Sequence, residues 1–213
     1  MIKGIIFDLD GVIVKTDELH YRAWKRLADA EGIFFDREIN NHLRGVSRMA
    51  SLEIILERSP RTYSAEEKNR LASIKNQYYV ELLKTLTPDD IMPGVTKTLE
   101  ELKRRKILTA IGSSSKNARA ILEQIKLANV FDAVADGNDI INSKPAPDVF
   151  LKAADMLGLR PAECAVVEDA EAGIAAAKSA GMLAIAIFDA KRSRLADHKL
   201  EDIGELINII FQF

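Results

Sequence analysis

The β-forming runs of this chain are apolar rather than alternating, and nothing else in the sequence narrows its fold as much. Gly4–Phe7, Leu108–Ile111, Ala133–Ala135, Ala165–Val167 and Leu183–Ile187 lack the apolar/polar alternation of a sheet with one wet face. Such strands need cover on both sides. Helical patterning separates them after the first, over Val95–Lys106, Lys116–Lys126, Asp148–Leu157 and Ala170–Ser179, with Gly158 and Gly181 as stops. Strands alternating with helices predict an α/β protein built on a parallel sheet.

That order breaks between the first two strands, where roughly Lys15 to Pro88 carries helical patterns and no convincing strand. An inserted helical unit is expected, with pieces at Asp17–Glu31, Arg48–Arg58 and a long Ala65–Leu86. Ser64-Ala65-Glu66-Glu67 resembles a capping box at the start of the last piece. The predicted division is therefore residues 1–14 and 89–213 as the α/β core and 15–88 as a helical cap. The 213 residues are 47% hydrophobic, enough for a real core, which excludes a disordered or disulfide-stapled chain. A net charge of −2 without long like-charge blocks nominates no nucleic-acid or membrane-surface partner. A lone cysteine, Cys164, excludes an internal disulfide and suggests a reducing, cytoplasmic compartment. The N-terminal apolar stretch is too short for a signal peptide, and no run approaches the ~18 apolar residues of a membrane span.

Open parallel sheets bind ligands beyond the carboxyl ends of their strands, and polar chemistry collects there four times. Strand one ends in Asp8-Leu9-Asp10-Gly11, strand two in Ser113-Ser114-Ser115-Lys116, the third is followed by Lys144-Pro145, and the fourth ends in Glu168-Asp169. Each alone has a structural use, as a turn, a cap or a dipole partner. Their coincidence is what argues for a site. Up to four carboxylates at one sheet end repel by about 4 kcal/mol per close pair at an effective dielectric near 20, so they call for a cation. Lys144 supplies one, and all-oxygen ligation suits Mg²⁺ better than Ca²⁺ where phosphate oxygens share the shell. Zinc is disfavoured because His20, His42 and His198 are scattered. Asp8 beside Ser113 and Lys144 is equipped to attack phosphorus, with Asp10 on the same side as acid and base.

The set Phe7-Asp8-Leu9-Asp10-Gly11-Val12, Ser113, Ser143-Lys144-Pro145 and Glu168-Asp169 resembles the four motifs of the haloacid dehalogenase superfamily. The resemblance implies a doubly wound, Rossmann-like core with a small α-helical cap. It makes Asp8 the nucleophile and Asp10 the general acid/base. Asp8, the backbone carbonyl of Asp10, Glu168 and Asp169 become Mg²⁺ ligands, and Ser113 and Lys144 bind the transferring phosphoryl group.

Within the superfamily, His20-Tyr21-Arg22-Ala23-Trp24, Leu43-Arg44-Gly45-Val46-Ser47-Arg48, Lys75-Asn76 and Ser113-Ser114-Ser115-Lys116-Asn117 look like the sugar phosphomutase branch. That likeness implies interconversion of β-D-glucose 1-phosphate and glucose 6-phosphate through β-D-glucose 1,6-bisphosphate. Arg48, Ser115, Lys116 and Asn117 would grip the phosphate that is not transferred, and His20 and Lys75 would couple sugar binding to cap closure. Trp24, Arg44, Gly45 and Val46 complete the expected substrate contacts. By pattern alone, His20 shares a helix face with Trp24 and Leu27 and reads as a core histidine, and Trp24 as packing. A broad phosphatase of small phosphate monoesters is the runner-up, and a non-catalytic phosphosugar-binding protein the third reading. The expected partner is a small phosphosugar, and the expected state a monomer. Two departures stand out: Lys15 where the family usually has an acid, and Ile187-Phe188-Asp189-Ala190-Lys191-Arg192 in place of a glycine-containing turn. The tail from Leu206 to Phe213 is unusually apolar and is expected to pack on the core or on another chain.

Overall fold

A computed structural model describes residues 1–210. Six strands, β1 (Gly4–Phe7), β2 (Leu108–Gly112), β3 (Ala133–Ala135), β4 (Cys164–Glu168), β5 (Leu183–Ile187) and β6 (His198–Leu200), form one sheet in the order β3-β2-β1-β4-β5-β6. Every pairing is parallel. Central β1 aligns Gly4 with Leu108 on one side and with Cys164 on the other.

The apolar runs are explained by what lies on each face. Ile5, Phe7, Ile111, Val167 and Ile185 point into a cluster with helices α5 (Val95–Arg104) and α6 (Ala118–Gln124). Ile6, Ala110, Val166 and Ala184 point into another with α7 (Asp148–Met156) and α8 (Glu171–Ser179). Successive strand residues face opposite ways, so with both faces covered neither parity can be polar. The sheet is the doubly wound α/β architecture expected.

Between β1 and β2 lie α1 (Asp17–Ala30), α2 (Arg37–Asn41), α3 (Arg48–Leu56) and α4 (Ala65–Leu83). Trp24, Leu27, Phe35, Leu52, Ile55 and Leu71 give these helices an apolar cluster of their own. Tyr79 and Leu83, further along α4, join the sheet-side core instead. The capping box forms, with Glu67 N donating to Ser64 Oγ at 3.2 Å and Ser64 N to Glu67 Oε2 at 2.8 Å. Ser47 caps α3 through the backbone N–H of Ala50.

β6 and α2 escape the sequence patterns, and the apolar tail gave no sign of the short helix it begins. β6 is three residues long and reads His-Lys-Leu, so it carries no apolar run. Polar α2 owes its start to Asp36, whose carboxylate accepts from Ile39 N at 2.9 Å. The long cap helix stops at Leu83, three residues early. At the other end of the chain Leu206 and Ile210, in α9 (Leu206–Ile210), are buried in the sheet-side core, while residues 211–213 of the apolar tail lie outside the described residues. Cys164 is buried and unpaired. Among the described residues no helix is long and apolar enough to cross a membrane.

Candidate active site

The strand order reverses between β1 and β4, and the crevice beyond their carboxyl ends is where an open α/β sheet presents its ligand site. Asp8 follows β1 directly, while Glu168 closes β4 and Asp169 follows it. Parallel pairing holds the two strand ends level, and Asp8 N donates to Val167 O at 2.9 Å. One carboxylate oxygen from each of Asp8, Glu168 and Asp169 lies within 4.8 Å of the others, and all three residues are buried. Gly11 makes room: at φ +89° it adopts a backbone that L side chains avoid, and a Cβ there would stand 2.2 Å from Asp169 Oδ2.

Lys144 enters this cluster with its Nζ 2.5 Å from Asp8 Oδ1 and 2.9 Å from Glu168 Oε2. Three carboxylates face one ammonium. Burial pushes the Asp8 carboxyl above its ordinary range against the pull of Lys144. Burial and Asp8 raise Glu168, and burial with Glu168 and Asp8 raises Asp169 well above the usual value. Groups so reluctant to ionise together fit a divalent cation, which would offset the charge that one lysine leaves over.

Asp10 turns its side chain elsewhere. Its Oδ1 accepts from Thr16 Oγ1 at 2.5 Å, lies 3.5 Å from the Tyr79 hydroxyl, and stands 3.6 Å from His20 Nε2. Burial raises its carboxyl, but His20, Thr16 and Lys144 outweigh burial and hold it below the ordinary value. Only the backbone carbonyl of Asp10 is left as a candidate metal ligand. His20 is pushed down by burial and by Lys75, whose Nζ lies 3.0 Å from His20 Nδ1.

Lys75 is itself buried, with its Nζ 4.6 Å from the ring centres of both Trp24 and Tyr79. Burial and the neighbouring Arg48 bring it down to about 7. Trp24 is 2% exposed and belongs to the helical cluster, so the packing role read from its pattern and a place at the cavity wall both hold.

A cavity of about 610 Å³ joins these regions, and every residue nominated from the sequence lines it except Glu168. Arg48 and Lys116 both line it, and neither side-chain cation has a hydrogen-bonding or ion-pairing partner among the described residues. The segment from Ser113 to Asn117 differs from the helix expected from Lys116 onward, because α6 begins at Ala118. Side-chain hydroxyls capture the backbone here, with Ser115 N donating to Ser113 Oγ at 3.0 Å and Asn117 N to Ser115 Oγ at 3.2 Å. Asn117 Nδ2 then donates to Asn76 Oδ1 on α4 at 2.9 Å. Arg44 also lines the cavity, but carboxylates of Asp17 and Asp189 hold its guanidinium. Lys15 is exposed, lacks a side-chain partner among the described residues, and borders a second cavity of about 580 Å³.

Sequence reasoning missed Tyr79, Asn76 and the Thr16 hydroxyl as site groups. Tyr79 was findable, since it lies four residues after Lys75 on the same helix face. Thr16 carries no signal in the sequence, because its contact with Asp10 depends on how the chain leaves β1.

The profile of haloacid dehalogenase-like hydrolases matches residues 2–181. A β-phosphoglucomutase of Bacillus subtilis is 46% identical over 207 residues, covering 96% of this chain and 92% of that protein. A phosphorylated carbohydrates phosphatase of Thermotoga maritima is 32% identical over 184 residues, 85% of this chain and 82% of the relative. The crystal structure of a β-phosphoglucomutase from Clostridium difficile superimposes with a TM-score of 0.92 at 39% identity, covering all of this chain and 96% of the other.

Proposed function

The chain belongs to the haloacid dehalogenase-like hydrolase family, and from that premise we propose that it is a Mg²⁺-dependent phosphomutase. It interconverts β-D-glucose 1-phosphate and glucose 6-phosphate through an Asp8 aspartyl phosphate and β-D-glucose 1,6-bisphosphate. The observation that supports this reading is that one cavity is lined both by the Asp8 cluster and by two cations without partners among the described residues. At one end stand Asp8, Ser113 and Lys144, and the same walls carry the uncompensated cations Arg48 and Lys116. A bisphosphorylated sugar can then bind in either orientation, which a simple phosphatase does not require.

In the forward direction the phosphorylated Asp8 meets the 6-hydroxyl of β-glucose 1-phosphate. Asp10, kept ionised by His20 and Thr16, takes the hydroxyl proton as the sugar oxygen bonds to phosphorus and the bond to the Asp8 oxygen breaks. The bisphosphate turns over, Asp8 attacks the phosphorus at C1, and Asp10 returns the proton to the departing C1 oxygen. Lys144 and Ser113 offset charge on the phosphoryl oxygens throughout. Held by Asp8, the Asp10 carbonyl, Glu168 and Asp169, Mg²⁺ would add the Lewis acidity that such a transfer uses. Residues 15–88 form the lid, with His20 and Lys75 linking sugar binding to its closure and the Leu43–Ser47 loop touching the sugar. Closure keeps water from the phosphoenzyme.

The second reading, a phosphatase of small phosphate esters, draws on the Thermotoga maritima relative. Product analysis with each anomer of glucose 1-phosphate, with and without added bisphosphate, separates the two. Glucose 6-phosphate from the β anomer, primed by bisphosphate and abolished in Asp8→Asn, is the expected result. Inorganic phosphate as the main product without priming overturns it.

A further inference from the structure

The turn after β5 has no part in the chemistry above, yet it reaches across the molecule to the lid. Phe188 opens it at φ +53°, in the left-handed region that a non-glycine residue enters only at a cost. The next residue, Asp189, accepts through Oδ2 from Arg44 Nη1 at 2.6 Å, joining positions 145 residues apart. Arg44 Nη2 donates to Asp17 Oδ2 at 2.5 Å, and its buried Nε has no partner. Gly45 follows at φ +74°, where a Cβ would stand 3.0 Å from the Cβ of Ala170, the neighbour of Asp169. Two adjacent residues of the lid loop therefore meet the core, Gly45 by close approach and Arg44 by charge. Four residues after Arg44, the same loop delivers Arg48 at the first position of α3.

We infer that Asp189 is a positioning residue: by holding Arg44 it keeps the Leu43–Arg48 loop down over the cavity, and so sets the share of phosphoryl groups passed to sugar rather than to water. This rests on the phosphomutase reading. The pair is partly wet, with Arg44 28% and Asp189 59% exposed at the side chain, so it tunes closure by a few-fold and does not switch it. Arg192, at 3.9 Å, is the other cation near Asp189 and is too distant to hydrogen-bond it. Removing Asp189 leaves Arg44 with Asp17, so the loop is released from the core without stranding the guanidinium bare.

The test compares wild type, Asp189→Asn and Asp189→Glu with β-glucose 1-phosphate and bisphosphate, reading inorganic phosphate released per glucose 6-phosphate formed, with KM and kcat separately. Asp189→Asn should raise the phosphate share and KM by about two- to five-fold and change kcat less, and Asp189→Glu should restore both. Added salt should move wild type toward the Asn variant and leave that variant unchanged. An Asn variant equal to wild type in KM and phosphate share, or a Glu variant no better than Asn, overturns the inference. If wild type releases only phosphate, the phosphomutase reading fails on its own. A KM rise in Asp189→Asn with rescue by Glu would then still establish Asp189 as the loop's anchor, and its absence would refute it.

Discussion

Lys144 and Lys75 are both buried lysines, 3% and 2% exposed, one at the sheet end and one in the helical layer above it. Burial acts on both in the same direction, against the charged form. At Lys144 the carboxylates of Asp8 and Glu168 overcome it and hold the ammonium well above its ordinary value. At Lys75 the neighbours are two aromatic rings, His20 and Arg48, the one opposing charge is Asp10, and the amine falls to about 7. Depth therefore does not decide charge in this molecule. The cavity is lined both by an anion cluster short of cations and by Arg48 and Lys116, cations without anionic partners among the described residues, a mixture that a substrate with two phosphates and a metal ion would neutralise.

The largest test of that contrast is Lys144→Met. It leaves three buried carboxylates with no ammonium among them, and breaking a buried pair in this way costs about 3–5 kcal/mol. Urea unfolding should show the loss, and Mg²⁺ should recover more stability in the variant than in wild type. Equal stability in the two proteins without metal would mean that the carboxylates fold in protonated form.

Lys75 behaves in the opposite sense with pH. Its unfolded value stands near 10.5 and its folded value near 7, so between them the unfolded chain binds more protons and stability rises with pH. Wild type should gain about 2 kcal/mol over Lys75→Met between pH 7 and 9, read from paired urea melts. Parallel pH profiles would show that Lys75 remains charged among its aromatic neighbours. The smallest effect is expected of Asn76→Ala, which removes one hydrogen bond to Asn117. A loss of about 1 kcal/mol, or roughly five-fold in the affinity for glucose 6-phosphate by calorimetry, should leave the Lys75-linked pH slope as it was. An altered slope would mean that the two sides of the cavity are not independent.

How legible each part was in the sequence follows from how local its cause is. Ile5, Ile6 and Phe7 announced a strand covered on both faces because side-chain parity is a property of the strand itself. Ser64 and Glu67 announced a helix start because a capping box closes within four residues. The acidic strand ends were legible for a related reason, since parallel strands in register must bring their last residues to one edge. β6 and α2 were not legible. Edge strand His198–Leu200 is recruited by β5, and Arg37–Asn41 is fixed by a cap and by its neighbours, with no periodicity of its own.

Residue patterns alone carried the fold class, the kind of chemistry gathered at the sheet end and the residue types able to perform it. It took the folded chain to turn Asp10 toward Thr16 and His20, to bring Lys75 down to about 7 while raising Lys144, and to engage Arg44 with Asp17 and Asp189. Patterns of burial and capping depend on neighbours within a few positions. The charge state of an ionisable group depends on which partners distant parts of the chain bring within a few ångströms of it, and no spacing along the sequence encodes that distance.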